Sequence, residues 1–121
     1  MTLEACYQQL GGSYAEIRAR IPSDAMISRF IGAFLKDPSF GALVTAANAG
    51  DRAAAFSAVH TLKGVCANLG LEDLRHSAGA LTEVLRPEAD TIPQAALPLL
   101  AAVQRDYRRT VDAISAYLAE Q

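Results

Sequence analysis

Apolar residues recur along this chain at helical spacing, in runs separated by glycine, proline, asparagine and aspartate. Leu3 to Leu10 is expected to form a short helix ended by Gly11-Gly12, and Tyr14 to Ile21 another that Pro22 stops. Ser23 is placed to cap a helix from Asp24 to Lys36, in which Ile27, Phe30, Ile31, Phe34 and Leu35 repeat at three- and four-residue intervals before Asp37-Pro38 ends it. Leu43, Val44 and Ala47 pattern a further short helix closed by Asn48-Ala49-Gly50, and Asp51 can cap the next. From Asp51 to Gly70, residues Ala55, Val59, Leu62, Cys66 and Leu69 share one stripe, the mark of a core-facing helix. Leu74, Ala78, Leu81 and Leu85 repeat the pattern from about Leu71 to Arg86, where Pro87 terminates it. A last helix carries Leu100, Val103, Tyr107, Val111, Ile114 and Leu118. Either Pro93 or Pro98 falls in its first turn, and Pro98 would kink anything begun earlier. Amphipathic helices joined by short connections predict an all-α fold, an up-and-down antiparallel four-helix bundle with additional short N-terminal helices, forming one domain over residues 1–121.

Composition agrees with that picture and narrows the function. Apolar residues make up 51% of the 121 and aromatics 7%, with no tryptophan, which suits close-packed helices better than β-sheets built from aromatic and β-branched residues. A formal net charge of −2 supplies no basic field, so no nucleic-acid partner is expected. No apolar stretch reaches the ~20 residues that span a bilayer, so no membrane association is expected either. The two cysteines, Cys6 and Cys66, lie far apart, and the start of the chain does not combine a basic stretch with a long apolar run; the expectation is a cytoplasmic protein without disulfides.

The chemistry concentrates on the segment from Asp51 to Gly70. At about 100° per residue, His60 falls about 160° from the centre of the core stripe and so faces solvent. Around it lie Ala53, Phe56, Ser57, Lys63, Gly64 and Ala67, where an ordinary exposed face would carry Glu, Lys and Gln. Gly64 costs the helix roughly 1 kcal/mol relative to alanine, and close approach by a partner's backbone is a reason for it. Lys63, three residues after His60, places an ammonium within reach of a phosphoryl group on the imidazole. Phosphoryl transfer depends on positioning and charge stabilisation, which these residues can supply. The chain lacks the glycine-rich phosphate cradle and spaced Mg²⁺-binding carboxylates of a kinase, so the phosphoryl group must come from another protein.

The run His60-Thr61-Leu62-Lys63-Gly64, followed by Asn68-Leu69-Gly70 and preceded by Gly50-Asp51, closely resembles the signature of histidine-containing phosphotransfer (HPt) domains of bacterial phosphorelays, with its core at residues 50–70. The Leu10-Gly11-Gly12 segment and the helix from Asp24 are similar to the upstream part of stand-alone members. The resemblance implies a phosphoacceptor role for His60, phosphoryl stabilisation by Lys63 and steric clearance at Gly64. It implies a relay between receiver-domain aspartates of a sensor kinase and a response regulator, without autonomous kinase activity. No cofactor is implied for the chain itself; the Mg²⁺ used in transfer belongs to the receiver. In such proteins the helix that here begins at Asp24 borders the histidine, which makes Ile27, Phe30 and Phe34 candidate docking residues beside Ala53, Phe56, Ser57, Ala67 and Asn68. Arg75 is a further rim candidate, and a monomer is expected.

Other readings of the same residues are weaker. A lone helical histidine is usually a polar surface residue, and His76, with no lysine or glycine arranged around it, is read that way. Cys66 lies on the core stripe while His60 points away from it, so the two cannot converge on a metal. Arg105, Arg108 and Arg109 are interleaved with Asp106 and Asp112 and read as a solvated face. The competing functional classes are a helical adaptor that binds receivers without being phosphorylated and, last, a metal- or haem-binding bundle.

Overall fold

The computed structural model describes residues 1–121 and is entirely helical. Its elements are α1 (Leu3–Leu10), α2 (Tyr14–Arg20), α3 (Asp24–Phe34), α4 (Ser39–Asn48), α5 (Arg52–Leu69), α6 (Glu72–Leu85) and α7 (Ala96–Ala119). Local sequence accounts for most boundaries. The Thr2, Ser13, Ser23 and Asp51 side chains each accept a hydrogen bond from a first-turn amide of the helix they precede, satisfying a donor that has no intrahelical partner. α3 stops at Phe34, two residues short of the expected Lys36, and Asp37 caps the turn that follows by accepting from the Ser39 amide at 2.9 Å. α7 begins at Ala96, out of a turn in which the Pro93 carbonyl accepts from the Ala96 amide at 3.0 Å. Pro98 is then inside the first helical turn, where a missing N–H disrupts nothing, so no kink arises.

α4, α5, α6 and α7 make the antiparallel four-helix bundle, with α5 packed between α4 and α6, and α6 against α7. Phe40 of α4 stacks on Tyr107 of α7 at 3.8 Å between ring centroids, which closes the ring of four. α1 runs antiparallel along the outer side of α7: the Met1 amino group meets Glu120, the Cys6 thiol lies 3.5 Å from the Ala113 carbonyl, and Arg109 reaches the Leu10 carbonyl. α3 packs against α7 and α5. Buried apolar side chains from every helix form one cluster of 24 residues, with Leu62, Leu74, Leu81 and Ile114 among those fully enclosed; burial on this scale supplies the main drive for folding.

Two expectations about faces need correction. Of the expected stripe on the last helix Val103 and Ile114 are buried, but Leu100, Tyr107, Val111 and Leu118 are only half-buried, and Asp106, Thr110, Ala113 and Tyr117 are buried in addition. The reason is that α7 is covered on two sides, by the bundle and by α1. Asp106 is therefore not on a solvated face; it is buried beneath Arg105, which pairs with it at 3.2 Å, while Arg109 is tied to Asp73 of α6. The second correction concerns α3, where Ile27 and Phe34 are 1% and 2% exposed. They are core residues and offer no surface to a partner; Phe34 packs on Tyr107 at 5.9 Å between centroids. Of its large apolar side chains only Phe30, 38% exposed, and Met26, one turn earlier, are exposed.

Candidate functional site

α5 owes its position to ties at both ends as much as to its buried stripe of Ala55, Val59, Leu62 and Cys66. At its start the Asp51 carboxylate accepts from the Ala54 amide at 3.0 Å, and Arg52 donates to the Leu85 carbonyl at the end of α6 at 2.6 Å and to the Ala89 carbonyl in the segment after it at 3.1 Å. At its end Gly70 adopts a left-handed conformation with φ of 70°, a geometry that costs other residues dearly. The last carbonyls of α5, which lack intrahelical donors, are met from the N-terminal segment: the Tyr7 hydroxyl donates to Leu69 at 2.7 Å and the Arg20 guanidinium to Ala67 at 3.1 Å. Gly12 lies so close to the Gly70 carbonyl that a side chain there would collide with it, so α1 and α2 are seated directly on the α5–α6 turn.

On the outer side of this helix His60 is exposed, opposite the fully buried Val59 and Leu62. Ala53, Ser57, Gly64 and Asn68 are exposed along the same side, and Phe56 and Ala67 are half-buried. The His60 imidazole has one aromatic neighbour, Phe56, with centroids 5.9 Å apart and planes inclined by 41°. A side chain at Gly64 would meet nothing within 4 Å, so nothing inside the chain calls for a glycine there. The Thr61 hydroxyl donates back to the Ser57 carbonyl at 3.0 Å and is used up within the helix.

Lys63 leans over α6. Its stem passes Gly79, where a Cβ would sit 3.5 Å from the Lys63 Cε, while its ammonium makes neither a hydrogen bond nor an ion pair. One helical turn after Gly79, Glu83 pairs with Arg86 at 2.8 Å, and the Arg86 guanidinium lies 5.3 Å above the Phe56 ring. The hydrogen bond from Arg86 is the main cause that holds the Glu83 carboxyl below its ordinary range, with the charges of Arg86, Lys63 and His60 adding to it. α6 thus presents a paired carboxylate and guanidinium along the border of the histidine face.

Gly79, Glu83, Arg86 and Arg20 have no visible address in the sequence, because only the packing of α6 and α2 against α5 brings them there. The three-residue spacing of Glu83 and Arg86 signals an ion pair but does not say beside what. Arg75, expected at the rim, is half-buried and held by Glu72 at 2.8 Å. His76 is exposed on α6, and Cys6 and Cys66 are buried free thiols. No three His, Cys, Asp or Glu side chains converge into a metal-holding group, and no helix is long and apolar enough to cross a membrane.

A solvent-facing histidine on the second helix of an antiparallel four-helix bundle defines a class of protein, and comparison with known families gives it a name. The Hpt domain family matches residues 37–117, well over half of the chain, and the chain belongs to that family. Hpt domains are histidine phosphotransfer intermediates of phosphorelays, not kinases, and they interact with receiver domains of kinases and response regulators. No curated protein and no solved structure gives a match to the chain. The family match begins at Asp37, so α1, α2 and α3 lie outside it.

Proposed function

We propose that this chain relays a phosphoryl group through His60, taking it from a receiver-domain aspartate of a sensor kinase and passing it to the receiver aspartate of a response regulator. A lone pair on an imidazole nitrogen of His60 forms the N–P bond as the P–O bond to the donor aspartate breaks, and the aspartate leaves as a carboxylate with the electron pair. The second transfer is the same displacement in reverse, with the acceptor's carboxylate attacking phosphorus. The observation that carries this reading is the exposed imidazole on a face of small side chains, with the unpaired Lys63 ammonium one turn away to balance charge on the phosphoryl oxygens. Gly64 gives the partner's backbone room to approach. Ala53, Phe56, Ser57, Ala67 and Asn68 form the landing surface, joined by Phe30 as far as the partner reaches α3. Mg²⁺ is assigned to the receiver, where it offsets the charge of the aspartyl phosphate, and the chain works as a monomer in the cytoplasm.

The test is to mix the chain with receiver domains from the same genome that have been charged with acetyl phosphate and Mg²⁺. The expected product carries one phosphoryl group by intact mass, labile in acid and stable in base, and is lost in His60→Gln. Failure of every receiver to label the chain would leave the adaptor reading in its place, and label that survives His60→Gln would move the site elsewhere.

A further inference from the structure

The N-terminal helices do more than brace the bundle. Ala67 follows His60 by seven residues, two full turns, so the two lie on nearly the same line along α5, about 10.5 Å apart. Arg20 of α2 donates to the Ala67 carbonyl at 3.1 Å and lies 3.8 Å from where a Cβ on Gly70 would sit, so its guanidinium stands at the C-terminal end of α5, just past Ala67. This arginine is exposed and makes no ion pair, whereas Arg18 pairs with Asp24, Arg75 with Glu72 and Arg86 with Glu83. With one N–H engaged by Ala67, the other donors of its fork remain free. Its position is fixed from behind: Ile17 is fully buried, and Gly12 abuts the Gly70 carbonyl. Ala19, also exposed, lies beside Arg20 in a shallow concavity that is lined as well by Glu16 of α2, by Ala67, and by Glu72 and Arg75, which pair with each other.

Area decides whether a partner at His60 reaches this far. A protein–protein interface of ordinary size covers about 800 Å² on each side, a disc of roughly 16 Å radius. Centred on His60, that disc takes in Ala67 and extends to the end of α5, about 15 Å along the axis, where the guanidinium stands. A guanidinium with free donors takes a carboxylate from whatever part of the receiver settles beside it. We propose that α2 forms part of the receiver docking surface, with Arg20 as a specificity-determining contact for a carboxylate on the receiver. The inference rests on the relay reading above. Because α2 precedes the part of the chain shared with the Hpt family, the contact is an addition to the common fold, suited to telling one receiver from another.

The experiment uses the full chain and a receiver that labels it. Transfer is measured against receiver concentration for wild type, Arg20→Gln, Arg20→Glu and Ala19→Glu. The last places a carboxylate on the same surface without removing the hydrogen bond to Ala67. Labelling of His60 by phosphoramidate, which needs no docking, and the melting temperature serve as readouts of a purely structural role. Arg20→Glu and Ala19→Glu are expected to raise the half-saturating receiver concentration by about tenfold and Arg20→Gln by a few-fold, with the maximal rate and phosphoramidate labelling unchanged. The effect should shrink as salt rises from about 50 to 500 mM. Unchanged half-saturation in Ala19→Glu and Arg20→Glu overturns the inference. So does a loss confined to melting temperature and phosphoramidate labelling, which would make Arg20 only a helix cap. A wild-type chain that no receiver labels defeats the relay reading instead, so the two failures are distinct.

Discussion

Gly64 lies in the interior of α5, where glycine weakens a helix, and a Cβ built on it meets nothing within 4 Å. Gly64→Ala therefore introduces no clash inside the chain and recovers about 0.5–1 kcal/mol of helix propensity. For a domain of this size that corresponds to a rise in melting temperature of roughly 2–6 °C. The relay should respond in the opposite direction. The new methyl stands one turn from His60, about 6 Å along the helix axis, on the face where the proposed relay seats a close-packed partner. A displacement of ~1 Å at the reacting atoms costs about a hundredfold in rate, so transfer from a charged receiver should fall by about ten- to a hundredfold in Gly64→Ala and further in Gly64→Gln. Phosphoramidate labelling of His60 should be unchanged in Gly64→Ala. Thermal melts followed by circular dichroism and single-turnover transfer measure the two effects on one preparation. Undiminished transfer in both variants would refute steric clearance as the reason for the glycine, and a lower melting temperature in Gly64→Ala would refute the account of open space above it.

Lys63→Ala removes an ammonium that has no partner within the chain, so melting should scarcely change while transfer slows by about ten- to a hundredfold, the worth of a charge-assisted hydrogen bond; equal rates would remove Lys63 from the site. Tyr7→Phe leaves the Leu69 carbonyl without its donor, an expected loss of about 1 kcal/mol by chemical denaturation, with faster amide exchange at the end of α5. No change in either would show that this tie is dispensable. Burial pushes the Cys6 thiol up to about 11 and the Cys66 thiol up to about 12, from the ordinary 9.0. Both should resist thiol reagents at pH 8 in the folded chain and react only on denaturation, where modification before unfolding would contradict their burial. Because the folded state holds these protons more tightly, stability should decline as pH rises above about 9 and keep falling towards 12.

The helix that carries His60 was legible because its determinants are local. Asp51 and Gly70 mark its ends by side-chain and backbone chemistry that acts within four residues, and Val59, Leu62 and Cys66 identify its inward side by spacing alone. The exposure of His60 and Gly64 follows from the same arithmetic. Where a second helix covers an element, that arithmetic fails. The apolar stripe of α7 describes one of its two buried sides, and nothing near Asp106 or Thr110 announces that α1 will lie over the other. In α3 the apolar positions wrap so far around the helix that spacing could not separate Phe30, which is exposed, from Ile27 and Phe34, which are not. Arg86 reaches Phe56 beside the histidine, and Arg20 the end of α5, only through tertiary packing, a relation that no sequence interval encodes.

The exposed strip around His60 is a single seat. Under the proposed relay, donor and acceptor must use it in turn, because two receivers cannot both bring an aspartate to one imidazole. A partner that lingers blocks the next. At an association rate of ~10⁶ M⁻¹s⁻¹, micromolar affinity already means a residence of about a second, so a relay that passes one signal per second cannot grip either partner much more tightly. Throughput on such a surface is governed by how readily each visitor leaves.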